Sequence, residues 1–407
     1  MRLLIAPLHY IADPSEGSEY TRSYNYLKYF ALKEDLHGDI LVGYTEKKTF
    51  GNLNVFCYFK TKPDYISNFM RIKFIIWTYY KANQLIKKNK YDLIWHNGPF
   101  AINETFSLLA IFNNKKIPFV IGPINTPHTF LGADENRSMG KKLSNSDSRF
   151  KKILKKFDSS TYFFSIIFTN LSRLTLMSAN KIYLSDSTGK KMLASKKIFH
   201  TTLAPKTFDT SGFTKKELVI NNNINLLNIS YLVLRKNTED LIEMMNILVN
   251  EYLMKNIFLT IIGDGPQRAN LENRVKEFKI NYNISFKGYI PRDQVPEYYK
   301  NAQIFVSSSL SESMPSMYFE AMAAGMPLVI AENSCTSDLL NEGVGAIVVR
   351  QKNPRQMAEA IKDILDNTDA LKDMGEKNYE LIKHKYSFED TMNDFYRSLR
   401  SVATNSI

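Results

Sequence analysis

The chain has 407 residues, with 53 Lys and Arg against 41 Asp and Glu, a formal charge of +12 at neutral pH. A composition of 44% hydrophobic and 23% charged residues excludes wholesale disorder, and at roughly 100–200 residues per domain the length suggests two domains. Two Cys, at 57 and 335, exclude a disulfide framework, match no zinc-ligand spacing, and fit a reducing cytoplasm.

After Met1-Arg2 the first apolar stretch runs only from Leu3 to Leu8. The longer run Tyr162–Phe168 is far short of the roughly 20 residues that span a bilayer, so no crossing of a membrane is expected. The positive charge leaves nucleic acid, an anionic lipid surface or a phosphorylated small molecule open as partner, and a merely solvated basic surface beside them.

In chain order, Arg2–Pro7, Asp39–Tyr44, Tyr91–Trp95, Pro118–Ile124 and Lys181–Leu184 read as buried strands. Helical length and periodicity fall between them at Tyr20–Leu32, Ile72–Lys88 and Asn103–Phe112. A polar, turn-rich stretch, Thr201–Asn223, follows, and the linker is expected near Lys206–Gly212. The alternation then resumes with strand Ile224–Val233, helix Thr238–Val249, strand Ile257–Ile262 and helix Arg268–Phe278. It continues as strand Ile284–Lys287, helix Gln294–Ala302, strand Ile304–Val306, helix Ser316–Ala324 and strands Leu328–Ala331 and Gly345–Val349, with helices from Pro354.

Strand–helix alternation means parallel sheets covered on both faces, in two Rossmann-like α/β halves. The expected division is residues 1–208, residues 209–385, and a C-terminal helix at 386–407 that could cross back to the first half. The segment 133–160 fits neither half. There Phe150, Ile153, Leu154 and Phe157 share one helical face, and Lys151, Lys152, Lys155 and Lys156 share the other, with Lys141, Lys142 and Arg149 just before. Such a helix either covers the protein's own sheet or lies on an anionic bilayer.

The most informative stretch is Ser307–Ile330. A strand ends at Ser307, a loop carries Glu312, Pro315 suits a first helical turn, Glu320 lies inside the helix, and Gly325 suits its C-terminal cap. The carboxyl end of a parallel strand is where ligands bind, and the Ser316 and Met317 amides at a helix start suit a phosphate.

Glu312-x7-Glu320 with Pro315 between, followed by Glu-Ala-Met-Ala-Ala-Gly-Met-Pro (320–327), resembles glycosyltransferase family 4 of the GT-B fold. That resemblance implies two Rossmann-like domains facing a cleft, Glu312 on the donor sugar, and Glu320 on the nucleotide ribose. A second match, Ser230-Tyr-Leu-Val-Leu-Arg-Lys-Asn237, resembles the segment whose Arg and Lys hold the donor diphosphate. Lys236 stands at the Lys position, Tyr231 replaces the Arg, and Arg235 is the cation nearest to that gap. Ile261–Pro266, with Gly263 and Gly265, and Phe286–Ile290 resemble further donor-side loops, although Gly-Asp-Gly is also ordinary turn chemistry. Glu16-Gly17-Ser18-Glu19 resembles the family's glycine-rich loop near the donor phosphates, with one Gly where two are commonest. His96 and His128 are candidates for the His that many members carry near the reacting sugar, although neither lies on a strict motif and a lone His is more often structural.

The resemblance implies a retaining transfer of a sugar from a nucleoside-diphosphate donor to a hydroxyl acceptor, in glycan, polysaccharide or lipid-linked oligosaccharide assembly. No cofactor beyond the nucleotide-sugar co-substrate is expected, and no metal, since the chain has no Asp-x-Asp. The expected partners are that donor, a saccharide or lipid-linked acceptor, and an anionic membrane surface through 141–157, with the protein in the cytoplasm or peripheral at its membrane face. No nucleic-acid partner is expected, because the lysines cluster in one insert without an RNA-binding aromatic motif. The rival readings are a nucleotide-sugar epimerase of the same fold and a basic nucleic-acid-binding protein.

Overall fold

The computed structural model describes residues 1–8, 18–62, 68–97, 105–113, 116–125, 170–206, 208–210, 212–219, 222–312 and 315–404. The chain forms two compact units, Met1–Thr207 with Glu389–Ile407, and Phe208–Phe388.

The first unit is an eight-stranded sheet in the order β3-β4-β2-β1-β5-β6-β7-β8. Its strands are β1 (Arg2–Ile5), β2 (His37–Val42), β3 (Thr49–Phe50), β4 (Leu53–Cys57), β5 (Leu93–His96), β6 (Phe119–Ile124), β7 (Lys181–Leu184) and β8 (Thr201–Leu203). All neighbours pair in parallel except β3 on β4. The central strands β5 and β6 are buried at every position, as expected where helices cover both faces.

Helix α1 (Ser18–Phe30) connects β1 to β2, while α2 (Asn68–Lys88), α3 (Leu108–Ile111), α4 (170–177) and α5 (Ser187–Ser195) serve connections running the other way along the sheet. Right-handed crossovers therefore place α2 to α5 on one face and α1 on the other. The buried contacts agree: Ala82 and Leu85 of α2, Leu109 of α3, Leu176 of α4 and Leu193 of α5 share one core with Leu4, Ile94 and Ile121. On the opposite face an aromatic cluster joins Tyr26 of α1 to Trp95 (ring centroids 5.4 Å) and to Phe395 (5.1 Å) of the last helix.

The second unit is a six-stranded parallel sheet in the order β11-β10-β9-β12-β13-β14. It contains β9 (Ile224–Ile229), β10 (Ile257–Ile262), β11 (Ile284–Gly288), β12 (Ile304–Ser307), β13 (Leu328–Ala331) and β14 (Ala346–Val349). Helices α6 (Thr238–Asn246), α7 (Arg268–Glu277) and α11 (Pro354–Asp366) fill one face. The other is covered by α8 (Val295–Asn301), α9 (Ser316–Ala323), α10 (Thr336–Asn341) and the end of α12 (Thr368–Lys385). Helix α13 (Phe388–Thr404) returns to the first unit.

Several elements depart from the sequence expectation. The strand read as Ile224–Val233 ends at Ile229; beyond it the Leu232 amide donates to the Asp264 carbonyl (2.8 Å), so Leu232 is buried in a turn and not in a ladder. The helix read as Thr238–Val249 is α-helical only to Asn246 and closes in a wider π turn, Ile247–Glu251. Thr201–Leu203, read as the start of the polar, turn-rich stretch before the linker, is strand β8, paired to β7. The described helix in the 103–112 region is only Leu108–Ile111, capped by the Ser107 hydroxyl accepting from the Ala110 amide. Elements β3, β4, α5 and α10 were not expected; each is short or half exposed, so its hydrophobic period is weak.

Candidate functional site

Numbered by occurrence within the second unit, its strands run 3-2-1-4-5-6, so the order reverses between β9 and β12. At such a switch point the loops leaving the two strands diverge and open a crevice at the carboxyl edge of the sheet. Residues 230–237 leave β9 there, and residues 308–312 leave β12.

The two loops are tied by hydrogen bonds. The Ser308 hydroxyl donates to the Asn237 carbonyl (2.7 Å), and the Leu310 amide donates to the Arg235 carbonyl (2.9 Å). Leu234–Lys236 form a short 3-10 turn ending at Asn237, whose left-handed backbone (φ 49°) starts α6. That turn aims Lys236 inward, where its ammonium donates to the Glu312 carboxylate; both residues are 7% exposed. Residues 76 apart thus form a buried ion pair across the switch point.

Burial alone would raise the Glu312 carboxyl, but the Lys236 ammonium beside it, helped by Arg235, holds it below the usual range. Burial pushes the Lys236 ammonium down from its ordinary value, opposed by Glu312. Across the pair each charge is the other's main compensation for burial. The Arg235 guanidinium reaches the Ser311 carbonyl (3.4 Å), and Tyr231, at the position where the resemblance expects Arg, is largely exposed.

Glu320 lies one turn into α9 and is also buried. Its Oε1 accepts from Arg292 (2.8 Å), on the loop after β11, and its Oε2 accepts from the Tyr299 hydroxyl (2.9 Å) on α8. Burial, then the Glu320 charge, raises the Tyr299 phenol well above its usual value, so it remains a donor. Arg292 and Tyr299 escaped the sequence reading: they lie 28 and 21 residues from Glu320, and no local spacing links them. Pro315 is the N-cap of α9, one position before the first turn where the sequence reading placed it; the Ser316 and Met317 amides open the helix with no intrahelical acceptor.

Gly263 and Gly265 serve the scaffold. A Cβ at Gly263 (φ 122°) would lie 2.0 Å from the Ser230 carbonyl oxygen, and one at Gly265 would lie 2.5 Å from that of Leu232. They let the turn after β10 run against the loop carrying Lys236.

In the first unit, His96 ends β5 fully buried, its ring 6.1 Å from that of Phe119. The next residue, Asn97, is also buried and donates to the Ser23 hydroxyl (3.3 Å). Gly17, His128 and the 133–160 segment, including 141–157, lie outside the described residues. Among the described residues no group of three His, Cys, Asp or Glu is placed to hold a metal ion.

Residues 211–381 match the family described as glycosyl transferases group 1. The chain spans 50%, 38% and 45% of the length of the first three curated relatives it matches. A longer match, to the alpha-monoglucosyldiacylglycerol synthase of Acholeplasma laidlawii, is 24% identical and covers 75% of this chain and 74% of the relative. Among solved structures, sucrose-phosphate synthase from Thermosynechococcus elongatus superposes with a TM-score of 0.72 at 16% identity, covering 99% of each chain. Anabaena HepE in complex with UDP superposes at 0.68 and 14% identity, covering 98% of this chain and 99% of that one. Residues 211–381 are thus similar in sequence to the group 1 glycosyl transferases, and the chain shares the GT-B fold of these solved structures.

Proposed function

We propose that this chain transfers a sugar from a nucleoside-diphosphate donor to a hydroxyl acceptor, with retention of anomeric configuration, in glycan or glycolipid assembly. The observation that carries the reading is the buried Lys236–Glu312 pair at the switch point, beside the amide-bearing start of α9.

In this reading the donor diphosphate lies against Lys236, Arg235 and the Ser316 and Met317 amides. These groups are already oriented, and their stabilisation grows as negative charge builds on the departing phosphate. Glu312, kept ionised by Lys236, accepts from hydroxyls of the donor sugar, and Glu320, held by Arg292 and Tyr299, accepts from the ribose. The departing phosphate oxygen receives the acceptor proton, so no protein nucleophile is required. A relative named for synthesis of a glucosylated diacylglycerol supports a lipid acceptor, and a fold neighbour solved with UDP supports a uridine donor. The 141–157 segment is proposed to help hold the protein at an anionic membrane face.

Incubation with UDP-, GDP- and ADP-sugars and a lipid acceptor should release a nucleoside diphosphate only with the matched donor, and proton NMR should report the same anomer in product and donor. Turnover is expected to persist in EDTA. Glu312→Gln is expected to lower turnover about ten- to hundredfold, through loss of a charge-assisted hydrogen bond of about 1.5–3 kcal/mol. Glu320→Gln is expected instead to weaken nucleotide binding. Wild-type rates in both variants would overturn the assignment.

A further inference from the structure

The helices α2, α3, α4 and α5 form one layer over the first unit's sheet, and their outer side is chemically one-sided. Along α2, α3, Lys116, α4 and the segment 187–197 there are eleven Lys or Arg and no Asp or Glu. Asp186, next in sequence to α5, is buried, and its carboxylate caps that helix by accepting from the Gly189 amide (2.8 Å). In a chain whose Asp and Glu number 41 against 53 Lys and Arg, an acid-free helix layer is a strong local bias.

The layer is continuous. The Tyr79 ring of α2 meets Phe112 at the end of α3 (centroids 6.2 Å). The Ser107 amide before α3 donates to the Thr175 hydroxyl of α4 (3.0 Å), and the His200 ring beyond α5 contacts the Leu176 carbonyl (2.8 Å). Between the cations stand large apolar side chains turned to solvent: Ile76 and Tyr80 on α2, Phe112, and Leu174 and Met177 on α4, each 43–64% exposed. Lys73, Ile76, Tyr80 and Lys87 follow one line along α2 at helical spacing.

We propose that this face of the first unit docks on an anionic lipid bilayer, with the lysines at the headgroups and Ile76, Tyr80, Phe112, Leu174 and Met177 entering the interface. Charge complementarity selects an anionic partner, and five exposed apolar side chains spread among the cations suit a lipid interface, where their burial adds to the attraction of the headgroups. The surface consists of described residues, so it does not depend on 141–157, and it stands whether or not the transfer reaction proposed above is correct.

The test is sedimentation of the full-length chain with phosphatidylcholine vesicles, with and without phosphatidylglycerol, at two salt concentrations. Binding is expected only with phosphatidylglycerol and should fall with salt. Changing Lys87, Lys88, Lys190 and Lys191 together to Gln, all exposed, should weaken partitioning at least about tenfold while the circular dichroism spectrum and melting temperature stay unchanged. A second variant, Ile76→Ser with Tyr80→Ser, should weaken binding without altering its salt dependence. Wild-type partitioning of the Lys variant, loss of binding only when Lys151, Lys152, Lys155 and Lys156 are changed, or binding to RNA in place of vesicles would each overturn the proposal.

Discussion

Lys236 and Glu312 each keep the other tolerable. Burying a lone charge costs several kcal/mol, so removing one partner is expected to cost about 3–5 kcal/mol of stability, while replacing both with apolar groups of similar size costs far less. Lys236→Met should therefore lower the unfolding free energy sharply, and Lys236→Met with Glu312→Leu should recover much of it; equal losses in single and double variants would show that the pair is not coupled. The pH dependence has a definite sign. Because the folded-state Glu312 carboxyl is held below its ordinary value, its contribution is complete above the unfolded-state value of about 4.3 and fades as pH falls through the folded one. Urea unfolding of the wild type and Glu312→Gln should thus converge in acid and separate toward neutral pH. Part of this site was readable in sequence: the spacing of Glu312 and Glu320 and the Lys at 236 could be singled out from local pattern. Their partners were not, because Arg292, Tyr299 and the Lys236–Glu312 contact join residues 21 to 76 apart, and only the strand order brings such positions together.

At the scale of elements, the turn after β10 leaves no room for a side chain at Gly263 or Gly265. Gly263→Ala would force a methyl against the Ser230 carbonyl in a backbone conformation that disfavours side chains, and is expected to destabilise the second unit by about 2–4 kcal/mol. Thermal unfolding would measure the stability loss, and calorimetry with UDP the nucleotide affinity, since the displaced loop carries Lys236. The sequence made the strands of this unit plain, because β12 and β13 are buried at every position and read as continuous apolar runs. It hid β3 and β4, where only Phe50 and Leu53 are buried and the remaining residues are half or fully exposed. It also hid the early end of β9: Leu232 is as apolar and buried as a strand residue, yet its amide serves a turn. Hydrophobicity reports burial, and burial alone does not distinguish a ladder from a tight loop.

On the scale of the whole molecule, α13 completes a unit that begins nearly four hundred residues earlier in the chain. Phe395 is fully buried between Tyr26, Trp95 and Tyr183, with the Tyr183 ring centroid 5.0 Å away. Phe395→Ala is expected to cost about 3–5 kcal/mol, felt in the first unit only. Hydrogen exchange should speed up at Tyr26–Phe30, β5 and β7 and remain unchanged in β9–β13; uniform loss of protection would mean that the two units unfold as one.

The same chain path has a consequence for biogenesis. The second unit is one uninterrupted segment, Phe208–Phe388, so everything it needs has been synthesised by the time its last residue is made. The first unit, although its strands are translated earliest, lacks one wall of its aromatic core until residues 389–404 follow. Translation therefore reverses the usual order in which amino-terminal domains mature first. A nascent chain stalled just after residue 388 should carry a protease-resistant second half attached to a first half whose Trp95 face is still open to chaperones.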